Sequence, residues 1–291
     1  MPRFIIRKLN IILITLLVLN SCASNKYPSS KIIAVTFDIE SKDESMCDLI
    51  FPNPETNKEL LELKKTYKLK ELISTGNSDI EKSLILLNWT NSRWKHDGNN
   101  RPEKNDVISI LKEAEKGEKF RCVEYGIVLS AALNSIGIPT RTLGIKTKDV
   151  ETTTYGAGHI VSEAYIPELK KWVFMDGQIN YIPFLDGVPL NAVEYKNAIV
   201  NHKERIELRN LSGTFDTTEA LKKINWVAKY LFYFDVRFDS SEKRVNCNKK
   251  SSLMLVPINE KNPTVFQVIN KMDHLRYTHN LKDFYQKPTI L

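Results

Sequence analysis

The sequence predicts an α+β fold in which an apolar helix is followed by antiparallel strands. Three observations carry that expectation. Residues 122–136 are a strongly apolar run of helical length, closed by Gly137-Ile138-Pro139. Glycine serves a helix exit there, and proline cannot continue the helix. From residue 141 onward the apolar period changes to two, as strands require. The composition is that of a globular protein, with 42% hydrophobic and 26% charged residues in a chain of 291. That length buries a sizeable core and excludes disordered or fibrous classes. Only 11 glycines and 12 prolines exclude a collagen-like or low-complexity chain.

The first residues read as an address. Arg3, Arg7 and Lys8 precede an unbroken apolar run over residues 11–19, which Asn20-Ser21-Cys22 ends. Nine residues make about 13 Å of helix, well short of the ~30 Å hydrocarbon core of a bilayer. A secretory leader over residues 1–21 therefore fits better than a spanning helix. Leu19-Asn20-Ser21-Cys22 resembles the lipobox of bacterial lipoproteins, which makes Cys22 the expected lipidated first residue of the mature chain. The expected location is the cell envelope, anchored to a bacterial membrane, the outer one where the cell has two. Residues 22–56 follow as a tether and N-terminal segment. With the three leader cations gone, the formal net charge of +7 falls to +4. That excess is spread among alternating Lys and Glu and makes a poor case for nucleic acid.

Residues 57–73 are rich in Leu and Lys and read as a helix, broken at Gly76-Asn77. Ser78-Asp79-Ile80-Glu81 has the capping-box order ahead of an apolar run over 84–89. A polar loop over 91–102 leads to a short helix over 106–116, capped by Asn105 or Asp106 and stopped by Gly117. After the apolar helix come a strand over 141–146, a loop rich in Thr and Gly, and a hairpin of 159–166 with 171–176. These elements make a core over 57–190. Residues 191–291 suggest a helix over 217–231 and strands over 232–238, 252–256 and 264–269. They are assigned to a C-terminal extension or subdomain of unknown role.

Four cysteines stand at 22, 47, 122 and 247, with no C-x-x-C and no Cys/His spacing suited to zinc. No metal and no cofactor is expected. Cys47 and Cys247 lie in polar surroundings and can pair with each other or remain two inert thiols. Cys122 differs, because it heads its helix. Unpaired N–H groups and the positive end of the helix dipole there favour a thiolate.

A thiolate nucleophile needs a partner that accepts and returns a proton, and histidine is the usual choice. An even-length turn centred between Pro167 and Glu168 sets His159 directly opposite Asp176, on one side of the hairpin. The carboxylate then fixes the imidazole tautomer. Each residue has an ordinary reading alone: a small buried Cys, a loop His beside Gly158, an Asp-Gly turn. The order Cys, His, Asp together with the hairpin favours a catalytic triad. His96, His202, His274 and His279 sit in polar loops and read as solvated. No G-x-S-x-G, G-x-x-x-x-G-K-[ST] or G-x-G-x-x-G occurs, so serine-type hydrolysis and nucleotide binding lack support.

The stretches Phe120-Arg121-Cys122-Val123-Glu124-Tyr125, Gly137-Ile138-Pro139-Thr140-Arg141, His159-Ile160-Val161-Ser162-Glu163 and Trp172-Val173-Phe174-Met175-Asp176 resemble the transglutaminase-like branch of the papain-fold cysteine enzymes. The resemblance covers about residues 84–177. It implies a papain-like core with the Cys-bearing helix on an antiparallel sheet, and a triad of Cys122, His159 and Asp176. Phe120 stands where many members have glycine, and Trp94 is the candidate for the family's oxyanion-hole residue. The implied activity is acyl transfer at an amide, by a peptidase or amidase if water accepts the acyl group and by a transglutaminase if an amine does. The expected partners are a peptide or protein amide and, through Cys22, a membrane. The alternative is a lipid-anchored binding or assembly module that keeps the fold without turnover.

Overall fold

The computed structural model describes residues 33–40, 43, 45–240 and 247–291. The expected leader, Cys22 and the tether through Lys31 lie outside the described residues. Among the described residues no helix is long and apolar enough to cross a membrane.

A short strand β1 (Ile50–Phe51) precedes five helices: α1 (Lys58–Thr66), α2 (Leu69–Leu72), α3 (Asp79–Asn91), α4 (Val107–Glu115) and α5 (Cys122–Ser135). Side-chain caps start three of them. Asn57 accepts the Leu60 N–H, Ser78 that of Glu81, and Asp106, rather than Asn105, that of Ser109. The single helix expected over 57–73 is split, because Lys68 adopts a left-handed φ of 49° between α1 and α2. Nothing in the local composition signals that break.

The strands follow as β2 (Thr140–Lys146), β3 (Gly158–Ile166), β4 (Lys171–Met175), β5 (Ile182–Leu185) and β6 (Val188–Pro189). Then come α6 (Ala192–Asn201), β7 (Ile206–Asn210), β8 (Gly213–Thr214), α7 (Thr217–Val227), β9 (Tyr233–Arg237) and β10 (Ser252–Leu255). The chain closes with β11 (Val265–Phe266), β12 (Asn270–Lys271), β13 (Leu275–Thr278), α8 (Leu281–Phe284) and β14 (Thr289–Ile290). The main sheet has six strands in the order β13-β10-β9-β2-β3-β4, antiparallel except where β13 joins β10. Three of the strands after residue 190, β9, β10 and β13, therefore continue the same sheet, and residues 32–291 make one compact unit. The strand expected over 264–269 is only Val265–Phe266, because Gln267 and Val268 turn back at φ 51° and 68°.

Both faces of the sheet are covered, so its inner strands are apolar on both sides. Alternate residues part accordingly: Val173 and Met175 of β4 join the cluster that includes Leu129 and Leu133 of α5, whereas Trp172 and Phe174 join the one that includes Tyr195 and Ile224. The α+β architecture with a Cys-bearing helix on an antiparallel sheet is the one the sequence predicts.

Candidate active site

Cys122 is the first residue of α5 and is partly exposed. Arg121 precedes it at the N-cap position, and an arginine side chain has no acceptor with which to cap helix amides. The buried Glu124 anchors this turn instead, accepting the Arg121 N–H at 3.0 Å and pairing with its guanidinium at 2.5 Å. The Arg121 side chain thus caps none of the first-turn amides beside the nucleophile. Gly126, one turn on, lets α5 approach β3: a Cβ there would lie 2.7 Å from Ile160 Cγ2. That contact brings the head of α5 to the start of β3, where His159 stands.

His159 Nε2 lies 2.9 Å from Asp176 Oδ2, with the imidazole 3% exposed and the carboxylate fully buried. The register differs from the expected one. Ser162 opposes Met175 and Ile166 opposes Lys171, so the pairing is slipped by two residues and His159 does not sit directly opposite Asp176. A four-residue connection is the cause, in which a 3-10 turn over Pro167–Leu169 ends on Lys170 at φ 51°. A slip of two keeps each residue on its face. The pair therefore meets diagonally.

Asp176 is fixed from its other oxygen. Oδ1 accepts the N–H groups of Gln178 and Ile179, each at 3.0 Å. Asn91 of α3 holds the same loop, donating from Nδ2 to the Gly177 and Gln178 carbonyls at 3.2 and 2.8 Å. With Nε2 engaged by Asp176, Nδ1 is the nitrogen left for the Cys122 thiol. Burial pushes the His159 pKa down, but the Asp176 charge and hydrogen bond outweigh it, and the Cys122 thiol adds to them. The imidazole ends at about 9. Gly158 beside His159 suggests a tolerant loop edge, yet the ring is packed at 4.9 Å from Trp226 and 5.9 Å from Tyr230.

Trp94 is buried, 4.5 Å from the Tyr125 ring and 5.7 Å from that of Phe120, and its carbonyl accepts the Tyr125 hydroxyl. Its Nε1–H has no acceptor among the described residues. His96, read as solvated, is indeed exposed, yet partial burial and the nearby His159 charge lower its pKa. His274 borders a cavity of about 340 Å³ that opens beside Cys122 and His159. Lys146, Asp235, Phe266 and Leu275 also line it. A second cavity of about 610 Å³ runs along α5 and shares Val123, Ile160, Asp235 and His274 with the first. Sequence reasoning missed Lys146, Asp235, Phe266 and Trp226, which reach the site from strands and a helix far apart in the chain. Among the described residues, no three His, Cys, Asp or Glu side chains gather as a metal site. Cys47 and Cys247 are joined in a disulfide, which leaves Cys122 as the free thiol of the described residues.

Residues 67–177 match the family model of the Transglutaminase-like superfamily, the core domain. No curated protein matches the chain. Among solved structures, one described as "a Putative Cysteine Protease" from Cytophaga hutchinsonii is 13% identical, with a TM-score of 0.35 over 53% of this chain and 48% of that one. A second, described as "a putative protease" from Parabacteroides distasonis, is 15% identical, with a TM-score of 0.32 over 56% of this chain and 28% of that one. The chain thus spans less than half the length of either. Over residues 67–177, which hold Cys122, His159 and Asp176, the chain carries a transglutaminase-like domain.

Proposed function

We propose that this protein is a thiol-dependent acyl transferase acting on amide bonds, with Cys122 as nucleophile, His159 as proton carrier and Asp176 as its orienter. The contact of His159 Nε2 with Asp176 Oδ2 at 2.9 Å carries this reading, since it leaves Nδ1 for the thiol at the head of α5. In the acylation step Cys122 Sγ attacks the amide carbonyl carbon, and the thiol proton resides on His159 Nδ1. The Cys122 N–H meets the developing oxyanion, and the unpaired indole N–H of Trp94 is the candidate second donor. Collapse breaks the C–N bond, the leaving amine takes the proton from His159, and a thioester remains. Water or an amine then attacks the thioester, giving up a proton to His159, and the acid or new amide leaves as Sγ is released. The proposed substrate is a peptide or protein amide, and the proposed setting is the cell envelope, through a lipid on Cys22.

Alkylation by iodoacetamide at pH 6, with peptide mapping, tests the reading. Cys122 of the native protein is expected to react much faster than Cys122 of the urea-unfolded chain, because only the native thiol is paired with an imidazolium. Equal rates would instead favour a binding module that keeps the fold without turnover. Cys47 and Cys247 cannot serve as the internal reference, being joined to each other.

A further inference from the structure

Resting on the acyl-transfer reading above, we infer that the cavity beside Cys122 binds a substrate carboxylate on Lys146, so that the amide attacked lies next to an acidic group. Lys146 ends β2, is 9% exposed and is among the residues that line the 340 Å³ cavity. An ammonium has three N–H donors. Among the described residues its hydrogen-bond acceptor is a single carboxylate oxygen, Asp235 Oδ1, and the face of Phe266 lies 5.9 Å away. Two donors of a buried cation are thus left for whatever enters. Leaving such donors unmet out of water is costly, and an acceptor oxygen from a ligand removes that cost.

The backbone is built to hold Lys146 in this state. Asp235 reaches it only because residue 144 is glycine: a Cβ there would sit 2.4 Å from Asp235 Oδ1. One carboxylate therefore steers the ammonium without using up its donors. The balance of charge also favours an anion. Lys146 and Lys271 line the cavity against one carboxylate, Asp235. His274, its pKa lowered by burial and by Lys146, is neutral at pH 7. At pH 6, two ammonium groups thus face a single carboxylate. Ile145, Phe266, Met272 and Leu275 supply apolar walls for an aliphatic stem. Burial pushes the Lys146 pKa down to about 7, so the ammonium is charged at pH 6.

The test compares iodoacetate with iodoacetamide, a carboxylate-bearing and a neutral probe of nearly equal size, as alkylators of Cys122 at pH 6 with peptide mapping. The His159 imidazolium attracts iodoacetate too, so the ratio of the two rates is read across variants. Lys146→Met is expected to lower the ratio roughly fivefold or more, and Asp235→Asn to raise it, since it removes the competing carboxylate. Asp235→Asn is isosteric and carries the test if Lys146→Met does not fold. An unchanged ratio in the folded variants, with fast iodoacetamide reaction intact, overturns the carboxylate site and leaves the acyl-transfer reading standing. Slow iodoacetamide reaction in the wild type overturns that reading, whatever the ratio does. Protection from iodoacetamide by two peptides separates the sources of the carboxylate. An amidated peptide with an internal Glu protects if a side chain is read, and a Glu-free peptide with a free C-terminus protects if a chain end is. If neither protects better than its Gln-containing or amidated counterpart, the proposal falls.

Discussion

Arg141 and Glu163 stand directly opposite each other on β2 and β3, and their ion pair, 2.6 Å long, is almost wholly shut off from solvent. The guanidinium lies over Trp172 at 4.3 Å and Phe284 at 4.6 Å and donates to the Phe284 carbonyl. Glu163 also accepts the Ala192 N–H and the Tyr285 hydroxyl. These are residues of the transglutaminase-like resemblance, yet they touch the tail of the chain and not the nucleophile. Glu163 is four residues beyond His159 on β3, and Trp172 four before Asp176, so each pair shares a face of the sheet. One end of that face holds the proposed chemistry and the other fastens the C-terminus.

Arg141→Met is expected to cost about 3–5 kcal/mol, because it strands the Glu163 carboxylate in the interior. Urea denaturation measures it, and Arg141→Met with Glu163→Leu should recover part of the loss. A cost below about 1 kcal/mol for the single change would mean that Glu163 finds another partner.

Asp176→Asn should fold and lose activity by about 10–10³-fold. Its side-chain oxygen can still accept from Gln178 and Ile179, which directs the new NH₂ at His159 Nε2. Nε2 must then be an acceptor, and Nδ1 carries its proton toward the thiol. The iodoacetamide rate at pH 6 reads the change. A wild-type rate would reduce Asp176 to a turn residue.

The His159 imidazole is raised from 6.5 to about 9, so the native state keeps a proton that the unfolded chain gives up. Its stabilisation is complete below pH 6.5 and is lost as the pH climbs through 9, at about 1.4 kcal/mol per pH unit in between. Lys146 and Lys196, whose pKa values burial lowers, pull the opposite way in part of that window. The measurement is therefore the difference between wild type and His159→Gln in denaturant titrations at pH 6 and pH 9. Parallel pH dependences would contradict the raised imidazole.

The Cys47–Cys247 disulfide closes a loop across a sequence separation of 200. Chain-entropy reasoning puts its effect near 5 kcal/mol, and 2–5 kcal/mol is the common range for such removals. Cys47→Ser with Cys247→Ser should lower the melting temperature while Cys122 stays reactive at pH 6. Loss of that reactivity in the folded variant would show that the bridge shapes the site.

Cys22→Ala should abolish incorporation of labelled palmitate, if the Leu19-Asn20-Ser21-Cys22 junction is the lipid attachment site. Label retained in the variant would refute the anchor.

What the sequence disclosed, and what it hid, divides by distance along the chain. The helix headed by Cys122 and the strands bearing His159 and Asp176 follow from local period and from the Gly137-Pro139 exit, and the structure has them within a residue or so. The hairpin register differs by two from the expected one, because a lysine at positive φ gives no compositional signal. Parity survives that difference, which is why His159 and Asp176 still meet. Lys146 and Asp235 are 89 residues apart and Trp226 and His159 67 apart, so no local pattern could join them. The disulfide is only one of two options in the sequence, since pairing depends on Cα distances that spacing does not give.

The order in which strands enter the main sheet bears on when the protein can become active. One half of it, β2, β3 and β4, is made near the middle of the chain, but β9, β10 and β13 come from the last third. Phe266 and Leu275 wall the cavity beside Cys122, Phe284 caps Arg141, and β14 pairs with β1 only when the final residues have emerged. Such long-range closure makes for slow folding of the whole chain rather than stepwise folding behind the ribosome. The Cys122 thiol gains a finished pocket only after Phe266 and Leu275 have been made.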